Sequence, residues 1–135
     1  MSAISYHKLV RDRIPEIIEA DGKTCICETL SDDDYITLLD QKLNEELSEY
    51  QESKSLEELA DLLEVMQAVV KARGWTLEEL EKVRAAKAAK RGGFGKKILL
   101  KEVCSPSDYQ VLALKILNNQ NIIIEKITPQ MLNTY

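Results

Sequence analysis

Two amphipathic helical patterns separated by only Ser53-Lys54-Ser55 constrain this chain more than any other feature. The first opens at Ser31-Asp32-Asp33-Asp34, a helix-start signal, and runs to about Glu52 with Ile36, Leu39, Leu43, Leu47 and Tyr50 on one face. The second carries Leu59, Leu62, Leu63, Met66, Val69 and Val70 and stops near Gly74. Ser55 with Glu58 predicts a capping box at its start. So short a link directs two long helices into an antiparallel hairpin.

The flanks read less regularly. Pro15 suits a first helical turn, Ile14, Ile17 and Ile18 form an apolar stripe, and Gly22 suits a helix stop. Residues 24–30 alternate like a strand. Thr76 with Glu79 predicts a second capping box, opening a helix to about Arg91, which Gly92-Gly93 breaks. Residues 97–103 again look extended and could pair with 24–30 as a small β-ribbon. Beyond Cys104 the texture changes: Ser105-Pro106-Ser107-Asp108 caps a helix, 122–127 alternates like a strand, and Thr128-Pro129 opens a last turn. The expected architecture is mainly α: a helical bundle over residues 1–104 with a small β-ribbon, and a C-terminal α/β appendage over 105–135.

Composition narrows the function. With 135 residues the chain can bury a core without disulfides. A net charge of −5 fits poorly with a nucleic-acid-binding module, which would show a basic stripe. It is compatible with a nucleotide substrate if a divalent ion sits between acidic side chains and phosphate. Cys25, Cys27 and Cys104 are odd in number and lack zinc-site spacing. Reduced thiols and the lack of a signal-peptide pattern lead us to expect a cytoplasmic protein. No apolar run approaches the roughly 20 residues that span a bilayer.

The hairpin carries two acidic clusters, Glu45-Glu46-Leu47-Ser48-Glu49 and Glu57-Glu58-Leu59-Ala60-Asp61. A run of Glu on a helix is usually a solvated face, so direction decides. With Leu43 as the centre of the first apolar stripe, Glu46 lies about 60° away and Glu49 about 60° further round. With Leu62 as the centre of the second, Glu58 lies only about 40° away and Asp61 about 100° away on the same side. Glu58 thus stands where the pattern asks for Leu, and an unpaired buried carboxylate is costly. Antiparallel pairing about Ser53-Lys54 sets Glu46 opposite Asp61 and Glu49 opposite Glu58. Four converging carboxylates call for a hard cation, Mg²⁺ first and Mn²⁺ as a substitute.

Glu45-Glu46-x-x-Glu49 followed by Glu58-x-x-Asp61 resembles the EExxE…ExxD signature of the all-α nucleoside-triphosphate pyrophosphatases, among them MazG-like proteins, dimeric dUTPases and phosphoribosyl-ATP pyrophosphohydrolase. The chain is most similar to a small MazG-like branch of house-cleaning enzymes. Those open with a segment like Lys8-Leu9-Val10-Arg11-Asp12-Arg13-Ile14-Pro15 and close with one like Lys87-x-x-Lys90-Arg91-Gly92-Gly93-Phe94. The likeness covers residues 6–103, with a shorter link between the two acidic motifs than in many MazG-like proteins. It implies Glu46, Glu49, Glu58 and Asp61 as Mg²⁺ ligands and Glu45 as a supporting group or water-orienting base. It also implies hydrolysis of a nucleoside triphosphate to a monophosphate and pyrophosphate.

The attacking water would be held by Glu45 or Glu49. Lys87, Lys90 and Arg91 are candidates for phosphate contacts, although a basic helix end followed by glycine also fits simple dipole and capping needs. Lys8, Arg11 and Arg13 could likewise reach phosphates. His7 reads as a surface or interface residue. Two or three such helices rarely complete a core alone, so a homodimer or homotetramer is expected. Two alternatives stay open: a phosphoribosyl-ATP-type substrate, and a non-catalytic helical module that binds a protein.

Overall fold

The computed structural model describes residues 3–105 together with Ala113, Ile116 and Leu117. Four helices follow in order among the described residues: α1 (Ile14–Ala20), α2 (Asp32–Ser53), α3 (Leu56–Ala72) and α4 (Leu77–Arg91). The chain divides into two compact units, Met1–Arg91 and Gly92–Tyr135, and all four helices belong to the first.

Local chemistry explains the helix ends. The Ser31 hydroxyl accepts from the Asp34 N–H at 3.2 Å, and Asp32, Asp33 and Asp34 place negative charge on the positive end of the α2 dipole. The α2 helix closes on Lys54, whose backbone is left-handed at φ 56. A lysine there is sterically disfavoured. Two contacts offset this: the Lys54 N–H donates to the Tyr50 carbonyl at 2.7 Å, and its ammonium sits 5.5 Å from the Tyr50 ring centroid. At α4 the capping box is complete. The Glu79 N–H donates to Thr76 Oγ1 at 3.1 Å, and the Thr76 N–H donates to Glu79 Oε2 at 3.4 Å.

At α3 only half of the expected box forms. The Glu58 N–H donates to Ser55 Oγ at 3.3 Å, but the Ser55 N–H donates to Ser53 Oγ, also at 3.3 Å. Glu58 does not return the bond, and its Oε2 is buried without a hydrogen-bond partner among the described residues.

The main packing is α2 against α3, with α4 resting lightly on α3. Leu39 and Val65 are buried, with Leu43, Leu62 and Val69 half-buried around them. Asp40 and Arg73, 2.7 Å apart, tie the open end of the hairpin. Leu59, Leu63 and Met66 of α3 stay 40%, 51% and 42% exposed. They line a second apolar stripe about 95° around α3 from the one facing α2.

The β-ribbon does not form. Residues 24–30 and 97–103 are irregular, and no strand occurs among the described residues. Their apolar side chains find little cover among the described residues: Ile26 is fully exposed, and Leu99 is 76% exposed. An isolated two-stranded ribbon has little stability of its own. The appendage expected over 105–135 falls outside the described residues apart from Ser105, Ala113, Ile116 and Leu117, so its α/β character has no support in the structure. No helix among the described residues is long and apolar enough to cross a membrane.

Candidate metal centre

The hairpin turns carboxylates from both helices toward each other. One oxygen each from Glu46 on α2 and from Glu58 and Asp61 on α3 lie within 4.8 Å of one another. That span is close to the roughly 4–5 Å across an oxygen-coordinated divalent ion. Exposed acidic groups often cluster without a cation, but this group is not fully exposed. Glu46 is only 7% exposed and is the one buried charged residue among those described. Its Oε2, and Oε2 of Glu58, are shut off from solvent with no hydrogen-bond partner among the described residues. Two orphaned carboxylate oxygens in neighbouring side chains are costly unless a cation takes them or a proton neutralises them.

Burial first, and the adjacent Glu49 carboxylate second, push the Glu46 pKa above its ordinary value, against the pull of Lys42. Glu49 itself is exposed and stands outside the 4.8 Å group. The antiparallel pairing therefore brings Glu46 to Asp61 as the register predicts, and brings Glu58 to that same pair.

Protein cations ring the cluster. Lys42 Nζ lies 3.4 Å from Glu46 Oε1 and 3.6 Å from Glu45 Oε1. Lys8 Nζ reaches the same Glu45 oxygen at 3.7 Å. Arg11 Nη2 donates to Asp61 Oδ1 at 2.6 Å. Beside Glu45 a cavity of about 120 Å³ is lined by His7, Lys8, Leu9, Leu38, Gln41, Lys42 and Glu45.

Of the basic residues singled out by sequence, Lys8 and Arg11 reach the carboxylates, while Arg13 pairs locally with Glu16 at 3.4 Å. Lys87, Lys90 and Arg91 lie on the last turns of α4 and make no ion pair among the described residues. Sequence reasoning missed Lys42. Its spacing to Glu45 and Glu46, i to i+3 and i+4, was a readable signal. The Arg11–Asp61 pair spans 50 positions and left no such signal.

No family model matches the chain, and no solved structure matches it. Over 42 residues it is 60% identical to an uncharacterized protein of Mycolicibacterium smegmatis. The match covers 31% of this chain and 43% of that protein, less than half the length of either.

Proposed function

We propose that the protein is an Mg²⁺-dependent, MazG-like nucleoside-triphosphate pyrophosphohydrolase, releasing a nucleoside monophosphate and pyrophosphate. The observation that carries this reading is the buried Glu46, with an unpartnered oxygen, facing Glu58 and Asp61 across the hairpin. The flanking segments 8–15 and 87–94, which resemble those of the MazG-like branch, add to it.

The donor set suits a hard divalent ion: three carboxylates, no sulfur and no imidazole. Glu46, Glu58 and Asp61 would hold Mg²⁺ (or Mn²⁺), with Glu49 completing the set from the rim. Such an ion, when bound, neutralises phosphate charge and acidifies water. The chain's own groups do the rest. Glu49, exposed beside Glu46 and without an ion pair among the described residues, accepts a proton from the attacking water. Glu45 is fixed between Lys8 and Lys42, which keeps it in place and keeps both ammonium groups at the mouth of the cleft. Lys8 and Arg11, with Lys87, Lys90 and Arg91 from α4, bind the phosphates.

A homodimer or homotetramer belongs to this reading. The exposed stripe of Leu59, Leu63 and Met66 calls for a covering surface, and a second copy's hairpin would complete a four-helix arrangement. The free thiols of Cys25, Cys27 and Cys104 suit a reducing compartment such as the cytoplasm.

The test is a panel of ordinary and base-modified nucleoside triphosphates plus phosphoribosyl-ATP, incubated with Mg²⁺ and assayed for pyrophosphate. We expect pyrophosphate and the matching monophosphate from at least one triphosphate. Turnover of phosphoribosyl-ATP alone moves the substrate class. No release from any of them by folded protein leaves a non-catalytic helical module.

A further inference from the structure

The residues before α1 bridge both helices of the carboxylate cleft. Lys8 pairs with Glu45 on α2, and Arg11, three residues on, pairs with Asp61 on α3. Between them Leu9 is half-buried and lines the small cavity with Leu38. His7, which leads into this stretch, has a left-handed backbone at φ 45. A non-glycine residue seldom keeps that conformation unless its surroundings impose it. The segment is thus a strap held across the cleft by ion pairs rather than by secondary structure.

Asp61 is claimed twice. Its Oδ1 accepts from the Arg11 guanidinium at 2.6 Å, and the same carboxylate belongs to the group with Glu46 and Glu58. We propose that Arg11 is a displaceable counter-ion: it holds Asp61 when the cleft lacks a divalent cation, and leaves it when one is bound, freeing the guanidinium for the substrate's phosphates. This inference rests on the metal-centre reading given above and adds an order of events to it. Loading the cleft with a cation comes first, and only then does the strap present Arg11 to an anion. The pair suits a reversible role, since its side chains are 57% and 41% exposed. A surface ion pair of this kind is weak enough for a divalent ion to break. Glu46 and Glu58 carry the orphaned buried oxygens, so they give the ion a foothold that Arg11 does not contest.

The experiment measures Mn²⁺ binding by the loss of the free-ion paramagnetic resonance signal. It compares wild type, Arg11→Gln, Arg11→Lys, Lys23→Gln and Glu58→Gln. Arg11→Gln should bind Mn²⁺ about two- to fivefold more tightly than wild type, the ceiling set by a surface ion pair. Arg11→Lys should fall between the two. Lys23→Gln removes the same charge from a lysine paired with Asp21 and should match wild type. A second readout uses ¹⁵N-labelled wild type, with the Arg11 guanidinium resonance identified by its loss in Arg11→Lys. On Mg²⁺ addition that resonance should move toward the position of a free arginine. Equal or weaker Mn²⁺ binding by Arg11→Gln, or a guanidinium resonance unmoved at saturating Mg²⁺, overturns the strap while leaving the metal centre standing. If wild type and Glu58→Gln alike bind no Mn²⁺, the metal centre falls and the strap with it. Should Arg11→Gln fail to fold, the wild-type resonance decides alone.

Discussion

Two stretches of this molecule look alike on paper and behave in opposite ways. Glu45-Glu46-Leu47-Ser48-Glu49 on α2 and Glu78-Glu79-Leu80-Glu81 on α4 are both acidic runs, the first on an acid-rich helix and the second on one whose later turns are basic. On α4 each acid is satisfied within its own helix or by solvent. Glu79 closes the cap with Thr76, and Glu81 takes both prongs of Arg84 at 2.8 and 2.6 Å. The Arg84 contact holds Glu81 below the usual carboxylate range, whereas burial lifts Glu46 above it. Acidity of sequence is therefore not the discriminating variable. What matters is whether a facing helix takes the carboxylate away from water while its own helix offers too little in return.

A matched pair of charge removals should separate the cleft carboxylates from the α4 acids most strongly. Glu58→Gln should abolish pyrophosphate release and weaken Mn²⁺ binding, with helical circular dichroism retained. The loss should exceed the roughly 10- to 100-fold typical of residues that merely support a metal ligand. Glu81→Gln, an equal change in charge on α4, should leave turnover within about twofold, as expected for a surface substitution that touches no site. Full activity in Glu58→Gln would end the metal-centre reading, and an equal loss in both variants would mean that only overall charge matters.

A second test uses the opposite shifts of the two acids. In metal-free protein the Glu46 pKa is higher folded than unfolded, so folded chains bind more protons than unfolded ones across that window. Its contribution to stability is fully present below the ordinary value of 4.5 and is lost as pH rises through the raised value. Glu81 runs the other way: its contribution is present above 4.5 and is lost as pH falls through the lowered value. Urea melts from pH 4 upward should therefore show Glu46→Leu more stable than wild type near neutrality, by about 1–3 kcal/mol, the usual cost of an unsatisfied buried polar group. The gain should shrink toward pH 4, and Mg²⁺ should reverse the order by stabilising wild type alone. A Glu46→Leu variant less stable than metal-free wild type at neutral pH would show that Lys42 already satisfies Glu46.

Much of this was legible in residue order. The three-residue link and the two 3.6-periodic stripes fixed the α2–α3 hairpin, and Ser31, Ser55, Thr76, Gly22 and Gly92 marked helix ends to within a residue or so. The angular position of Glu58 pointed to the site because a carboxylate in a leucine's place needs a reason. The ribbon was not legible because an extended-looking segment shows only which side chains would be apolar, and cannot say whether a partner exists to cover them. Arg11 on Asp61 was invisible for a different reason. An ion pair between an irregular segment and a helix 50 residues away has no period and no fixed spacing. Lys42 differs from both: it stands one turn before Glu45 and Glu46 on the same helix, a spacing that residue order alone displays.

The finest distinction lies between the caps of α3, which carries Glu58 into the cleft, and α4, which carries none of the cleft carboxylates. Ser55 and Thr76 each accept one N–H at the start of a helix, from Glu58 at 3.3 Å and Glu79 at 3.1 Å. Replacing either by alanine should cost about 1 kcal/mol. The consequences should nevertheless differ. Ser55 fixes the turn that carries Glu58, so fraying there withdraws a carboxylate from the cleft as well as a hydrogen bond from the helix. Thr76 fixes a turn that carries only surface acids. Ser55→Ala should thus lower Mn²⁺ affinity by up to about fivefold, the share of binding free energy that a 1 kcal/mol local opening can consume. Thr76→Ala, matched to it in urea midpoint, should leave that affinity unchanged. If both caps lowered Mn²⁺ affinity equally, the cleft would be answering to global stability, and the local link between the half-formed box at Ser55 and the orientation of Glu58 would be wrong.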